Sequence, residues 1–168
     1  MLLYLMQHGA NLPKEAAPDE PLSPIGVEQV SKTALVTAEL GIAFDTILTS
    51  PKLRARETAE IMARATGFPE QSIMTTPDVK AMTPAHQTVE RIDSLVDAHS
   101  VLIAGHMPNL AKLASLLITG DDRQRVAVQN SGLICIEIPG PRARHGTLIF
   151  SLTPKHIALM AKGVRRRI

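Results

Sequence analysis

Apolar positions in this chain come in two kinds of segment, short unbroken runs and longer stretches at helical spacing, and the two kinds alternate. Leu2-Leu3-Tyr4-Leu5-Met6 is continuously apolar and stops at Gln7-His8-Gly9, the pattern of a strand buried on both faces of an α/β sheet. Ala10 to Pro21, rich in Pro, Ala and acidic residues, reads as loop. Ser23-Pro24 supplies an N-cap with proline at the first helical position, and Val27, Val30, Ala34 and Ala38 share one face of the helix that follows, with Gly41 as its stop. Phe44 to Thr49 predicts a second strand, and Ser50-Pro51 repeats the cap-plus-proline start for a helix from Lys52 to Ala65, stopped at Gly67. Ser72 to Thr76 predicts a short strand, and Val89, Ile92 and Val96 a helical stripe after Thr83-Pro84. Val101 to Gly105 is another buried strand, broken at His106, and Leu110, Leu113 and Leu117 mark the helix behind it.

The last third changes character. Leu133 to Ile138 and Thr147 to Leu152 predict two strands joined by the turn-rich Pro139 to Gly146, forming an antiparallel edge. No repeat, low-complexity block or linker divides the chain. The expected fold class is α/β, a three-layer α/β/α sandwich with a mostly parallel central sheet and an antiparallel edge strand. The domain spans residues 1–153. Residues 154–168, with Ile157, Met160, Ala161 and Val164 at helical spacing, predict a C-terminal surface helix and a basic tail.

Composition narrows the function classes. A chain of 168 residues, 45% apolar, fits one domain that needs neither a disulfide nor a structural metal to hold its core. The single cysteine, Cys135, excludes an intramolecular disulfide and Cys-rich metal sites and fits a reducing compartment. Of the 18 Lys and Arg residues, three are Arg165, Arg166 and Arg167, leaving 15 against 16 acidic residues, so no broad basic field for DNA is implied. Four aromatics, Tyr4, Phe44, Phe68 and Phe150, supply little base stacking, and no nucleic-acid partner is expected. No apolar run approaches the ~18 residues of a membrane span, and the apolar start lacks a preceding basic region. A cytoplasmic monomer is the expectation. Six histidines against four aromatics make histidine chemistry the first place to look.

Ligands of open α/β sheets gather beyond the carboxyl ends of the strands. There the first strand carries Gln7-His8-Gly9, the second Ser50-Pro51-Lys52-Leu53-Arg54-Ala55-Arg56, and the Val101 strand Gly105-His106-Met107-Pro108. Two histidines and an arginine are thus expected around one pocket. An imidazole, a guanidinium and two helix N-termini make an anion site, with phosphate the obvious anion. A neutral histidine can attack phosphorus and form a covalent intermediate that water hydrolyses, flanking cations stabilising the phosphoryl oxygens; this needs no metal and no cofactor.

These residues resemble the histidine phosphatase (phosphoglycerate mutase-like) superfamily, whose signatures are strand-Arg-His-Gly, Leu-Ser/Thr-x-x-Gly, Ser-Pro-x-x-Arg-Ala-x-x-Thr and a late Gly/Ser-His. Their counterparts in order are Gln7-His8-Gly9, Leu22-Ser23-Pro24-Ile25-Gly26, Ser50-Pro51-Lys52-Leu53-Arg54-Ala55-Arg56-Glu57-Thr58 and Gly105-His106. The short length and Met82-Thr83-Pro84 look most similar to the SixA-type phosphohistidine phosphatases. The resemblance implies His8 as the phosphorylated nucleophile, Arg54 and His106 holding the phosphoryl oxygens, and Gly9 allowing close approach of substrate and backbone. Ser50 is most simply a helix cap whose hydroxyl could also contact phosphate, and Asn11 either lines the pocket entrance or caps a turn. Asn130-Ser131 is a further candidate for the rim.

The signature arginine before the nucleophile is Gln7, which can donate a hydrogen bond but cannot neutralise charge. Losing one such donor typically costs ~10²–10³ in rate. That leaves a slow enzyme, an arginine such as Arg56 in the gap, a deliberate substitution, or a phosphate-binding pseudophosphatase. Arg56 points about 200° from Arg54 around its helix, which favours a surface pair with Glu60. Where many relatives place a general acid, Asp78 is the only carboxylate between Asp78 and Thr83. Phosphohistidine tolerates that gap, because imidazole can leave protonated at its distal nitrogen near neutral pH. The expected function is therefore a metal-independent phosphatase acting on phosphohistidine in a signalling or phosphotransfer protein, with small phosphate esters as alternative substrates. His86, His99, His145 and His156 are expected to face solvent, His86 being kept as a candidate pocket-rim residue.

Overall fold

The unbroken apolar runs form the middle of one six-stranded sheet in a computed structural model that describes residues 1–140 and 145–165. Its strands are β1 (Leu2–Gln7), β2 (Thr46–Thr49), β3 (Met74–Thr75), β4 (Ser100–Gly105), β5 (Leu133–Glu137) and β6 (Thr147–Leu152), ordered β3-β2-β4-β1-β5-β6. The first four run parallel, whereas β5 is antiparallel to both β1 and β6, with β6 at the edge. The helices are α1 (Pro24–Glu39), α2 (Leu53–Thr66), α3 (Ala85–Asp93), α4 (Asn109–Thr119) and α5 (Pro154–Arg165).

Alternation along the central strands feeds two cores. Leu3, Leu5, Val101 and Ile103 pack with Ile92 of α3 and Leu110, Leu113 and Leu117 of α4. Tyr4, Met6, Leu102 and Ala104 pack with Val30 and Ala34 of α1 and Ala59, Met62 and Ala63 of α2. With both faces covered, polar residues have no place in the middle of β1 or β4, which is why these strands read as continuous apolar runs between their ends. Each fully buried leucine or isoleucine here contributes about 1.5–3 kcal/mol of transfer free energy. The result is the expected three-layer α/β/α arrangement. On the outer side α5 lies against α1, where Val36, Ile157 and Ala161 are buried together.

Three local expectations are corrected. The buried face of α1 is Gly26, Val30, Thr33, Ala34, Val36 and Thr37, while Val27 and Ala38 are exposed. Two threonines can be buried because their hydroxyls are satisfied: Thr37 donates to the Thr33 carbonyl at 2.8 Å, and Thr33 to the Ser131 carbonyl at 2.7 Å. An apolar-only stripe passes over such positions. Val96 is 67% exposed, because α3 ends at Asp93 and the Ser94 hydroxyl turns back to the Arg91 carbonyl. Between Glu70 and Thr75 a single 3₁₀ turn precedes the two-residue edge strand β3.

Residues 141–144 of the β5–β6 connection, and Arg166 and Arg167 of the basic tail, lie outside the described residues. Among those described, no helix is long and apolar enough to cross a membrane.

Candidate active site

Because β2, β4 and β1 are parallel neighbours, their carboxyl ends deliver Ser50, His106 and His8 to one place. Gln7 is in register with Gly105, and Thr49 with Ala104, so each of the three residues follows directly on a paired position. The backbone ladder continues one step further, His8 N–H donating to the Gly105 carbonyl at 3.2 Å and Ser50 N–H to the Ala104 carbonyl at 3.3 Å. His8 and His106 are 7% and 4% exposed, and their rings meet edge-on with centroids 4.9 Å apart.

Arg54, in the first turn of α2, completes the group: its Nε donates to His8 Nε2 at 3.1 Å. On the other side of the ring, His8 Nδ1 lies 2.7 Å from the Gly9 carbonyl oxygen. A carbonyl only accepts, so Nδ1 carries the proton and Nε2 keeps its lone pair. Burial pushes the His8 imidazole below its ordinary value; the Gly9 carbonyl opposes this, Arg54 adds to it and Glu20 opposes it. His106 is pushed down to about 3, first by burial and then by His8, Arg54 and Lys52. Both rings are neutral at physiological pH.

Ser50 departs from its expected role. The N-cap of α2 is Lys52, without a side-chain cap, and the fully buried Ser50 hydroxyl lies 2.6 Å from His106 Nε2 while accepting the Lys52 N–H at 3.3 Å. The same Ser-Pro pattern that caps α1, where Ser23 accepts the Gly26 N–H at 3.1 Å, here orients a histidine instead.

The loop between β1 and α1 is seated by glycine contacts. A Cβ on Gly9 would stand 2.7 Å from the Gly26 carbonyl oxygen and 2.8 Å from Val30 Cγ2, and one on Gly26 would overlap the Ala10 carbonyl oxygen. The close approach at Gly9 is therefore made by α1. Ser23 N–H and Oγ both donate to the Ala10 carbonyl, at 2.9 and 3.1 Å, and Glu57 Oε2 accepts the Leu22 N–H at 2.6 Å, tying this loop to α2. Asn11 sits in the loop with its amide donating to the Leu12 carbonyl at 2.8 Å. Gln7 accepts the Ser131 N–H at its carbonyl, 2.9 Å, and its side-chain amide has no hydrogen-bond partner among the described residues. Ser131 itself is buried at φ 60, and Asn130 bridges Gln7.

Arg54 and His106 form the floor of a cleft of about 230 Å³ whose other walls are Lys52, Lys80, Ala81 and Met82. Asp78 is not among them; its carboxylate accepts the Thr76 hydroxyl at 2.7 Å. Arg56 is exposed and makes no ion pair with Glu60 among the described residues, consistent with the weak preference of surface pairs. His86 is exposed in a separate groove between α3 and α4, away from the rim, and His99, His145 and His156 are exposed as well.

Three charged residues at the site were not singled out by the sequence: Lys52, Lys80 and Glu20. Glu20 is the unexpected one. It takes a left-handed φ of 50 and places Oε2 3.2 Å from Arg54 Nη1. The available signal was an acid just ahead of the Pro21-Leu22-Ser23-Pro24 cap; nothing local distinguishes it from Glu15 or Asp19.

A neutral, buried histidine, a largely enclosed guanidinium and a second buried histidine thus meet beyond the carboxyl ends of three parallel strands. Residues 3–84, which carry His8 and Arg54, match the family model of the histidine phosphatase superfamily (branch 1), and the chain belongs to this superfamily of phosphatases. It is 31% identical over 138 residues to an uncharacterized protein of Picosynechococcus sp., covering 80% of this chain and 83% of that protein. Its fold is similar to that of the protein histidine phosphatase SixA complexed with tungstate, with a TM-score of 0.83 and 21% identity over 94% of this chain and 99% of that one. The alpha-ribazole phosphatase from Shigella flexneri follows at a TM-score of 0.73 and 17% identity, over 92% and 97% of the two chains.

Proposed function

We propose that the protein is a metal-independent phosphatase that removes phosphoryl groups from phosphohistidine on a signalling or phosphotransfer protein, through a phospho-His8 intermediate. The observation that carries this reading is the state of His8: neutral, its proton held on Nδ1 by the Gly9 carbonyl, its Nε2 lone pair facing Arg54. In the first step that lone pair forms a bond to phosphorus, and the phosphorus–nitrogen bond of the substrate breaks with its electrons going to the departing imidazole, which leaves neutral because its distal nitrogen already carries a proton. A water oxygen then attacks phosphorus, the bond to His8 breaks with the lone pair returning to Nε2, and the two protons of the water leave with the phosphate as dihydrogen phosphate. Arg54 and His106 hold the phosphoryl oxygens, and Ser50 orients His106. Arriving phosphate charge opposes the charges of Arg54 and Lys52 that help depress His106, and so favours its protonated form. Substrate contact by Gln7, Gly9 and Asn11 belongs to the same proposal.

Two features support phosphohistidine over alkyl phosphates. Asp78, the only carboxylate between Asp78 and Thr83, is engaged with Thr76 and leaves the general-acid position unfilled, and imidazole leaves without such help. The cleft is also open-walled, with Met82 83% exposed beside Lys52 and Lys80, which suits a phosphoryl group borne on a protein surface. The substrate would place the enzyme in the cytoplasm. Incubation with a phosphorylated histidine phosphotransfer domain should release inorganic phosphate, and His8→Ala should abolish release; retained turnover in that variant overturns the mechanism.

The isolated Gln7 amide and the outward Arg56 favour a second reading, a phosphate-binding module without turnover. Gln7→Arg discriminates: an enzyme releases phosphate with either residue, a module only with arginine. A panel of small phosphomonoesters tests the alternative substrate class.

A further inference from the structure

We infer that Glu20 is an internal competitor for the phosphoryl position: its carboxylate occupies the anion-binding side of Arg54 in the free protein and must be displaced when substrate binds. The inference rests on the reading of the Arg54 pocket as the phosphoryl site, and adds to it the group that sets how tightly the pocket takes a bare anion.

The geometry has three parts. Arg54 has its Nε committed to the nucleophile, so Nη1 is a donor left to face an incoming anion, and Glu20 Oε2 stands 3.2 Å from it. The contact is ionic but poorly aligned: Nη1 is enclosed by protein and still has no hydrogen-bond partner. A buried cationic N–H left unsatisfied is costly, and a phosphoryl oxygen placed on its axis would satisfy it better than Glu20 does. Third, Glu20 sits at φ 50 in a loop flanked by Pro18 and Pro21, with its side chain 29% exposed against 15% for Arg54, so the carboxylate has solvent to move into while the guanidinium does not.

Glu20 and Gln7 then act in the same direction. One cancels the positive charge of Arg54 and the other omits a second guanidinium, so the net positive charge of the cleft is left to Lys52 and Lys80 on its walls, and a phosphate dianion meets a carboxylate at the place it must occupy. A phosphoryl group attached to a protonated imidazole brings its own positive charge and suffers less from Glu20. The residue thus weakens binding of free phosphate, the reaction product, more than that of a phosphohistidine substrate.

The test is calorimetric titration of the whole protein with inorganic phosphate and, separately, with tungstate, comparing wild type with Glu20→Gln, which keeps the side-chain shape, and Glu20→Gly, which suits the positive φ. Both variants should bind both anions about two- to fivefold more tightly, the gain expected from removing a competing ion pair of this exposure. Unchanged or weaker anion affinity in Glu20→Gln overturns the inference, as does unchanged affinity with a lower kcat, the signature of a proton donor. Binding does not require turnover. Tighter anion binding by a protein that releases no phosphate from any substrate would leave this inference standing and remove the proposed activity.

Discussion

Two depressions on this molecule contain a histidine among charged neighbours, and they differ in every property that matters for chemistry. In the groove between α3 and α4, His86 is exposed beside Glu90 and Asp93, over a floor formed by Leu116 and Leu117. In the cleft beyond β1, β2 and β4, His8 and His106 are almost wholly buried, one held between Arg54 and a backbone carbonyl, the other against Ser50. Residue type is the same in both places. What separates them is that backbone ladders and fixed partners dictate tautomer and orientation in the second, whereas solvent dictates them in the first.

Substitution of the histidines breaks the comparison most severely. His8→Ala should lower phosphate release by about 10³-fold or more, while His86→Ala should leave it within about twofold, measured side by side on a phosphorylated phosphotransfer domain. Acid should act on the buried pair. Both His8 and His106 are depressed below their ordinary value in the folded state. The unfolded chain therefore binds these protons first as pH falls, and stability is lost from about pH 6.5 downward. For His106 the loss continues to about 3. Thermal melts across this range should show a slope that His106→Gln reduces.

Glycine substitutions sharpen the contrast between the seat of the site and the outer surface. Gly26→Ala, whose Cβ would overlap the Ala10 carbonyl oxygen, should destabilise by about 1–3 kcal/mol and shift the loop carrying His8. Ser50→Ala removes the partner that orients His106, leaves buried His106 Nε2 unsatisfied, and should cost about tenfold in kcat together with about 1–3 kcal/mol of stability. The smallest effect should come from Gly163→Ala: this glycine lies exposed in α5 with nothing within 4 Å of an added Cβ, so the change should stabilise by up to ~1 kcal/mol in chemical denaturation.

The difference between the two α1 readings shows where one-dimensional pattern runs out. Val27 and Ala38 fit an apolar stripe, yet Thr33 and Thr37 are the buried positions, because a threonine hydroxyl in a helix can satisfy itself on the preceding turn. The site shows the same limit at Ser50. Its Ser-Pro pattern matches that at Ser23, and only the adjacency of β2 and β4 decides that its hydroxyl meets His106 and leaves the start of α2 uncapped.

Local chemistry in the chain was sufficient for the strand–helix alternation, the apolar runs of β1 and β4, and the grouping of His8, Arg54 and His106, because each depends on residues close in sequence and on the rule that parallel strands open their carboxyl ends to ligands. Glu20 was beyond that reach. Its position depends on how the loop between β1 and α1 returns to the sheet, and that path is decided by the contact of Gly9 with Gly26 and by the reach of Glu57 to Leu22, groups separated by 17 and 35 positions. Long-range packing alone brings a carboxylate to the guanidinium of Arg54.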